Sequence, residues 1–171
     1  MADRRILGID PGTANVGFAV LDQQGTRLMP VWYDCLRTSP GQPMSERLMR
    51  IATAIRDIIR NLNPDEVAME DLFFGASAKA ALSVGQARGV CTLVCAEAGL
   101  LVCDYAPAVV KQSVTGYGRA DKQQVQRMVQ QILGMSEVPR PDHAADAFAI
   151  AITHAGSLAL PTQVSRVGVR A

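Results

Sequence analysis

The segment RILGIDPGTANVGFAV, residues 5–20, restricts the arrangement of everything that follows it. RILGID and GFAVLD are β-rich runs separated by the six residues PGTANV, and a third run, LMPVWYDCL, follows the turn QQGT. Runs joined by connections this short pair as antiparallel neighbours, so the chain is expected to open with a three-stranded meander. Its first strand ends in Asp10, directly ahead of a Pro-Gly turn. That placement raises the question of what a carboxylate does at the rim of a sheet.

Beyond the polar loop RTSPGQPM, a helix is expected from an N-cap at Ser45 to Leu62. Leu48, Ile51, Ile55, Ile58 and Leu62 recur there every three to four residues, and Asn63-Pro64 ends the pattern. EVAME reads as a short buried strand, again terminating in acid, Glu70. A helix rich in Ala, Ser and Gly follows from Ser77 to Ala98 and stops at Gly99; LLVCDY is the next strand, and Pro107 opens a helix through Lys111 that GYGR breaks. Asp121 and Gln124 have the spacing of a capping box for the helix KQQVQRMVQQIL. RPDHAADAFAIAITHAGSLAL is helical after Pro141, with Asp142 a candidate N-cap. Three meander strands followed by alternating helix and strand predict an α/β fold, one mixed sheet flanked by helices.

With 171 residues and no internal linker, the chain is expected to form a single domain over residues 1–158, followed by a flexible tail at 159–171. Apolar runs such as VCTLVCAEAGLLVCDY are interrupted by Glu97 and Asp104 before the ~18 residues that a membrane span requires, and the N-terminus lacks a signal-peptide layout, so a cytoplasmic location is expected. Cys35, Cys91, Cys95 and Cys103 contain no CxxC pair and have only His143 and His154 as possible companions, which excludes zinc spacing and favours buried thiols. A net charge of +1 hides a segregated distribution. Between Tyr105 and Met135, Lys111, Arg119, Lys122 and Arg127 stand against Asp121 alone, whereas PDEVAMED at 64–71 carries four acids and no base.

Strands ending in Asp10 and Glu70 can deliver both carboxylates to one sheet edge, where ligands of open α/β sheets bind. His143 and Asp146, spaced i, i+3, share a face at the start of the last helix. Four such groups converging would repel unless cations neutralised them, and mostly oxygen donors point to Mg²⁺ or Mn²⁺, with the imidazole favouring Mn²⁺ or serving as a general base. Two ions ~3.5–4 Å apart are suited to phosphodiester hydrolysis. Taken singly, each group has an ordinary explanation: Asp10 as a turn residue, Glu70 as a solvated acid, His143 and Asp146 as a surface hydrogen bond. Only their conjunction points to a site. The glycines at 8, 12 and 17 match neither GxGxxG nor the GxxxxGK[ST] loop, and GxSxG is absent.

LGIDPGTANVGFAV, MEDLFFG, GQARGV, VKQSVTGYGRADKQQV and HAADAFAIAITHA, in that order over roughly residues 4–156, resemble the RuvC family of bacterial Holliday junction resolvases. The resemblance implies an RNase H-like fold with a five-stranded sheet, a homodimer, and endonuclease cleavage of four-way junction DNA with Mg²⁺ or Mn²⁺. The branch-migration proteins RuvA and RuvB are implied as partners. By motif, Asp10, Glu70 and Asp146 match the family's catalytic, metal-binding carboxylates. Many members begin the last motif DAAD where this chain has HAAD, so His143 takes that slot; Asp142 would need a rotation of ~100° about the helix to reach the same ions.

The resemblance also marks Phe73 as the aromatic that stacks on a junction base, with Phe74 left to packing, and Lys111 and Lys122 as basic positions near the scissile phosphate. Arg88 serves either packing or a dimer. Ala80, Ala81, Gly85 and Gly89 allow close approach, to a second copy or equally to the sheet. Competing readings are an RNase H-like nuclease that processes ribosomal RNA precursors, an actin-type or sugar-kinase ATP module, and a junction-binding protein that does not cut. The ATP module requires two domains closing on nucleotide, which 171 residues do not accommodate.

Overall fold

The computed structural model describes residues 2–71 and 78–157. Its elements, in chain order, are β1 (Arg4–Asp10), β2 (Asn15–Gln24), β3 (Arg27–Arg37), α1 (Met44–Leu62), β4 (Glu66–Glu70), α2 (Ala78–Glu97), β5 (Val102–Tyr105), α3 (Pro107–Thr115), α4 (Lys122–Ile132) and α5 (Asp142–Ser157). The five strands form one sheet in the order β3-β2-β1-β4-β5. The meander β1-β2-β3 is antiparallel, while β4 pairs parallel to β1, and β5 parallel to β4. This is the expected mixed sheet.

Alternation along the strands divides the core into two layers. Ile6, Ala19, Leu21 and Ala68 face α3, α4 and α5, where Val110, Val125, Val129 and Phe148 are buried. Leu7, Ile9, Phe18, Val20, Val67 and Met69 face the other way, onto Ile51, Ile55 and Ile58 of α1 and Ala87, Cys91, Val94 and Cys95 of α2. Each fully buried Ile or Leu contributes about 1.5–3 kcal/mol from burial, so the 3.6-residue repeat of α1 is what docks it. Burial pushes the Cys91 and Cys95 thiols up to about 12 and about 11, so they remain protonated core residues, as the absence of CxxC spacing predicts.

One local expectation changes. Ser45 does not cap α1, which begins at Met44 with no side-chain cap. The carbonyl of Pro43 accepts the amide protons of Glu46 and Arg47, leaving Ser45 inside the first turn. Helix α3 runs from Pro107 through Lys111 to Thr115 and stops at Gly116, the first residue of GYGR, as expected; the Thr115 hydroxyl donates back to the Lys111 carbonyl. The capping box of α4 forms as expected: Asp121 Oδ1 accepts from the Gln124 amide and Gln124 Oε1 from the Asp121 amide, each at 2.9 Å. The tail expected at 159–171 lies outside the described residues.

Candidate active site

β1 and β4 run parallel with Ile9 opposite Met69, so the next residues, Asp10 and Glu70, leave adjacent strands at the same edge. The remaining groups arrive on α5, which lies against β1 and β2 at very short range. A Cβ on Gly8 would collide with the Ala147 carbonyl, and one on Gly17 with the His143 carbonyl. Ala144, Ala147 and Ala151 are fully buried on the helix side of this contact. Gly8 and Gly17, which match no nucleotide-binding pattern, are therefore the seat of α5, and that seat sets His143 and Asp146 above Asp10.

His143 Nδ1 lies 2.7 Å from Asp10 Oδ2. Candidate ligand atoms of Asp10, His143 and Asp146 all fall within 4.8 Å of one another. Glu70 stands outside this tight trio but lines the same cavity of about 220 Å³, together with Asp10, Asp146, Lys111 and Lys122. Asp142, by contrast, turns toward Lys122 (3.8 Å) and Arg140 (3.6 Å) and is not part of the trio.

The cavity holds more negative charge than its neighbours neutralise. Burial, and then the charges of Asp10 and Asp146, push Glu70 up from 4.5 to about 7, against the pull of Lys111 and Lys122. Burial likewise raises Asp146 although the Lys122 ammonium sits 3.0 Å away, and the bond to Asp10 raises His143. Protons and the Lys111 and Lys122 ammonium groups thus compensate a cluster that divalent cations would neutralise better. Three carboxylates and an imidazole fit Mg²⁺ or Mn²⁺.

Side chains outside the candidate ligand set hold the edge in place. Arg47 Nε donates to Thr38 Oγ1 at 2.8 Å, Thr38 Oγ1 donates to the Thr13 carbonyl, and the Thr38 amide donates to the Ala14 carbonyl. Thr13 Oγ1 also meets Ser83 Oγ on α2 at 2.7 Å. The turn that follows Asp10 is therefore braced from α1, β3 and α2. Arg88 reaches the Glu70 carbonyl and pairs with Asp104, which assigns it an internal role at the end of β4. These partners come from distant parts of the chain, so no spacing pattern could expose them. Phe73 and Phe74 lie outside the described residues.

A family model, crossover junction endodeoxyribonuclease RuvC, matches residues 6–154. The chain belongs to this family. It is 53% identical to the crossover junction endodeoxyribonuclease RuvC of Desulfitobacterium hafniense, over 91% of the chain and 94% of that relative. It is 51% identical to the RuvC of Moorella thermoacetica, over 88% of the chain and 90% of that protein. Among solved structures, Thermus thermophilus RuvC in complex with a Holliday junction substrate superposes with a TM-score of 0.85 at 38% identity, covering 91% of this chain and 94% of that one. The fold is accordingly the RNase H-like α/β architecture, and the RuvC likeness disfavours the RNA-processing alternative. Among the described residues, no helix is long and apolar enough to cross a membrane.

Proposed function

We infer that this chain is a crossover junction endodeoxyribonuclease that resolves Holliday junctions by paired, symmetric nicks, one phosphodiester per active site. The observation that carries this reading is the meeting of Asp10, His143 and Asp146 beside Glu70, in a chain of the RuvC family. The Thermus relative bound to a Holliday junction supports the same substrate.

Asp10, Glu70, His143 and Asp146 are the proposed catalytic residues and ligands of two Mg²⁺ or Mn²⁺ ions. Bound there, the ions supply an activated water and stabilise the departing oxygen. Glu70, pushed up to about 7 in the metal-free cluster, would hold an ion as its carboxylate, so its proton would compete with the metal. Lys111 and Lys122, at the same cavity, hold the phosphate electrostatically. Phe73, three residues beyond Glu70, stacks on an unpaired base at the crossover, a contact contributing about 1–3 kcal/mol.

Two equal cuts need two equivalent sites, hence a homodimer. Leu82 and Leu93 are 68% and 58% exposed and lie eleven residues apart, on one face of α2, and a side chain on the exposed Gly89 between them would meet nothing. This outward stripe supports the second copy, rather than the sheet, as the partner of α2's small residues. The protein acts in the cytoplasm with the branch-migration proteins RuvA and RuvB, and residues 1–158 suffice for cutting, with 159–171 dispensable.

The test is a mobile synthetic four-way junction mapped on all four strands. Two symmetry-related nicks are expected with Mg²⁺ or Mn²⁺ and none with EDTA, while a structured ribosomal RNA precursor stays intact. Metal-independent cutting, or preferential cutting of the RNA, would overturn the reading.

A further inference from the structure

The acidic centre is flanked along the sheet edge by two depressions. One is the cavity already described, on the β5 side, which Lys111 enters from α3. The other, a polar trough of about 810 Å³, opens on the β3 side of His143, and its lining includes Asn15, Arg37, Lys122, Arg140, Asp142 and His143. Lys122 lines both, so the two form one path across the edge, with the carboxylates in the middle.

The positive charge of this trough is assembled from separate elements. Arg37 is the last residue of β3, paired in register with Asn15 at the start of β2; Lys122 opens α4; Arg140 precedes α5. Among the described residues no carboxylate pairs with Arg37, and the one partner of Arg140, Asp142 at 3.6 Å, forms an exposed pair of the kind that holds little energy against water. Two guanidinium groups therefore face a wide polar depression with donors free, in the fork geometry that matches phosphate oxygens. An ordinary solvated surface would not require strand, loop and helix termini to converge on one trough next to the reacting centre.

We propose that this trough is a DNA-backbone subsite, in which Arg37 and Arg140 hold phosphates of the cleaved strand on the His143 side of the scissile bond, with Asn15 as a further donor. The proposal rests on the junction-cutting reading. Arg37 and Arg140 position the strand by charge and carry no base information, so their contribution is electrostatic and independent of junction sequence.

The experiment measures binding of a labelled four-way junction in EDTA across salt concentrations, for the full chain and for Arg37→Ala, Arg140→Ala and the double variant, with circular dichroism to verify folding. Each lost phosphate contact lowers the slope of log affinity against log salt by about 0.9, so the double variant should lose roughly tenfold less affinity than the parent between about 50 and 200 mM salt. Arg37→Lys should retain most of the slope, because the charge remains. In cleavage assays KM should rise while kcat at saturating junction stays within about twofold. Folded variants with the parental slope would overturn the trough while leaving the nuclease reading intact. A parent chain that neither binds nor cuts the junction would instead overturn the nuclease reading, and the trough with it.

Discussion

Helix α5 carries a histidine paired with a carboxylate at each end, and the two pairs are built for opposite purposes. Near its C-terminus, His154 is 1% exposed; Nε2 lies 3.0 Å from Glu66 and Nδ1 2.8 Å from the Tyr105 hydroxyl. Arg4 meets the same Glu66 oxygen at 3.1 Å, so the carboxylate is neutralised within the protein and desolvation keeps His154 below its ordinary value. At the N-terminus, His143 meets Asp10 at 2.7 Å, but Glu70 and Asp146 crowd the cavity beside them and, among the described residues, only Lys122 is in ion-pair contact with these two. A histidine beside an acid is thus not in itself a sign of chemistry. What separates the two ends is whether the surrounding charges already balance.

The contrast breaks most visibly under amide substitution. Asp10→Asn or Glu70→Gln should lower junction cutting by more than about a thousandfold, since several kcal/mol of transition-state stabilisation depart with the ions. His154→Gln should leave cutting per folded molecule unchanged. A strand-mapped cleavage assay with matched folded protein checks both, and residual cutting at the parental rate by either amide would remove the distinction between the ends.

The brace beside Asp10 gives the next largest effect. Arg47 is 8% exposed and holds the turn after Asp10 through Thr38. Arg47→Ala should cost up to about a hundredfold in kcat, the scale of a 1 Å misplacement, with junction affinity in EDTA unchanged. At the other end, His154→Ala should destabilise the fold by about 2 kcal/mol by leaving Tyr105 and Glu66 short of a partner, readable as a shift in the denaturant midpoint.

pH sharpens the comparison, because the ends titrate with opposite sign. Glu70, raised from 4.5 to about 7, binds its proton more tightly folded than unfolded, so metal-free stability falls as pH rises across that window, by about 3 kcal/mol. The raised His143 adds in the same direction: its contribution is present below its unfolded value and lost as pH climbs through the folded one. His154, lowered from 6.5, makes the unfolded chain the better proton acceptor, so stability falls as pH drops through and below 6.5. Between about pH 4.5 and 6.5 the two ends therefore oppose each other, and above 6.5 the decline from Glu70 and His143 stands alone in thermal midpoints taken in EDTA. Glu70→Gln should remove the decline between about 4.5 and 7, His154→Gln the loss below 6.5, and Mn²⁺ should act only on the first.

The meander, the terminal acids of β1 and β4, the capping box at Asp121 and the helical face bearing His143 and Asp146 are all legible in the sequence. They depend on turn chemistry, alternation and 3.6-residue periodicity, which act over a few residues. Ser45 misleads because a neighbouring backbone carbonyl, invisible to residue type, took the capping role. Tertiary packing decided the rest. It made Gly8 and Gly17 the seat of α5, joined Arg47 to Thr13 through Thr38, and set one histidine among unbalanced acids and the other among balanced partners. Those outcomes depend on where charges and backbones from distant segments meet, and desolvation at that meeting point fixes how much neutralisation each carboxylate still requires.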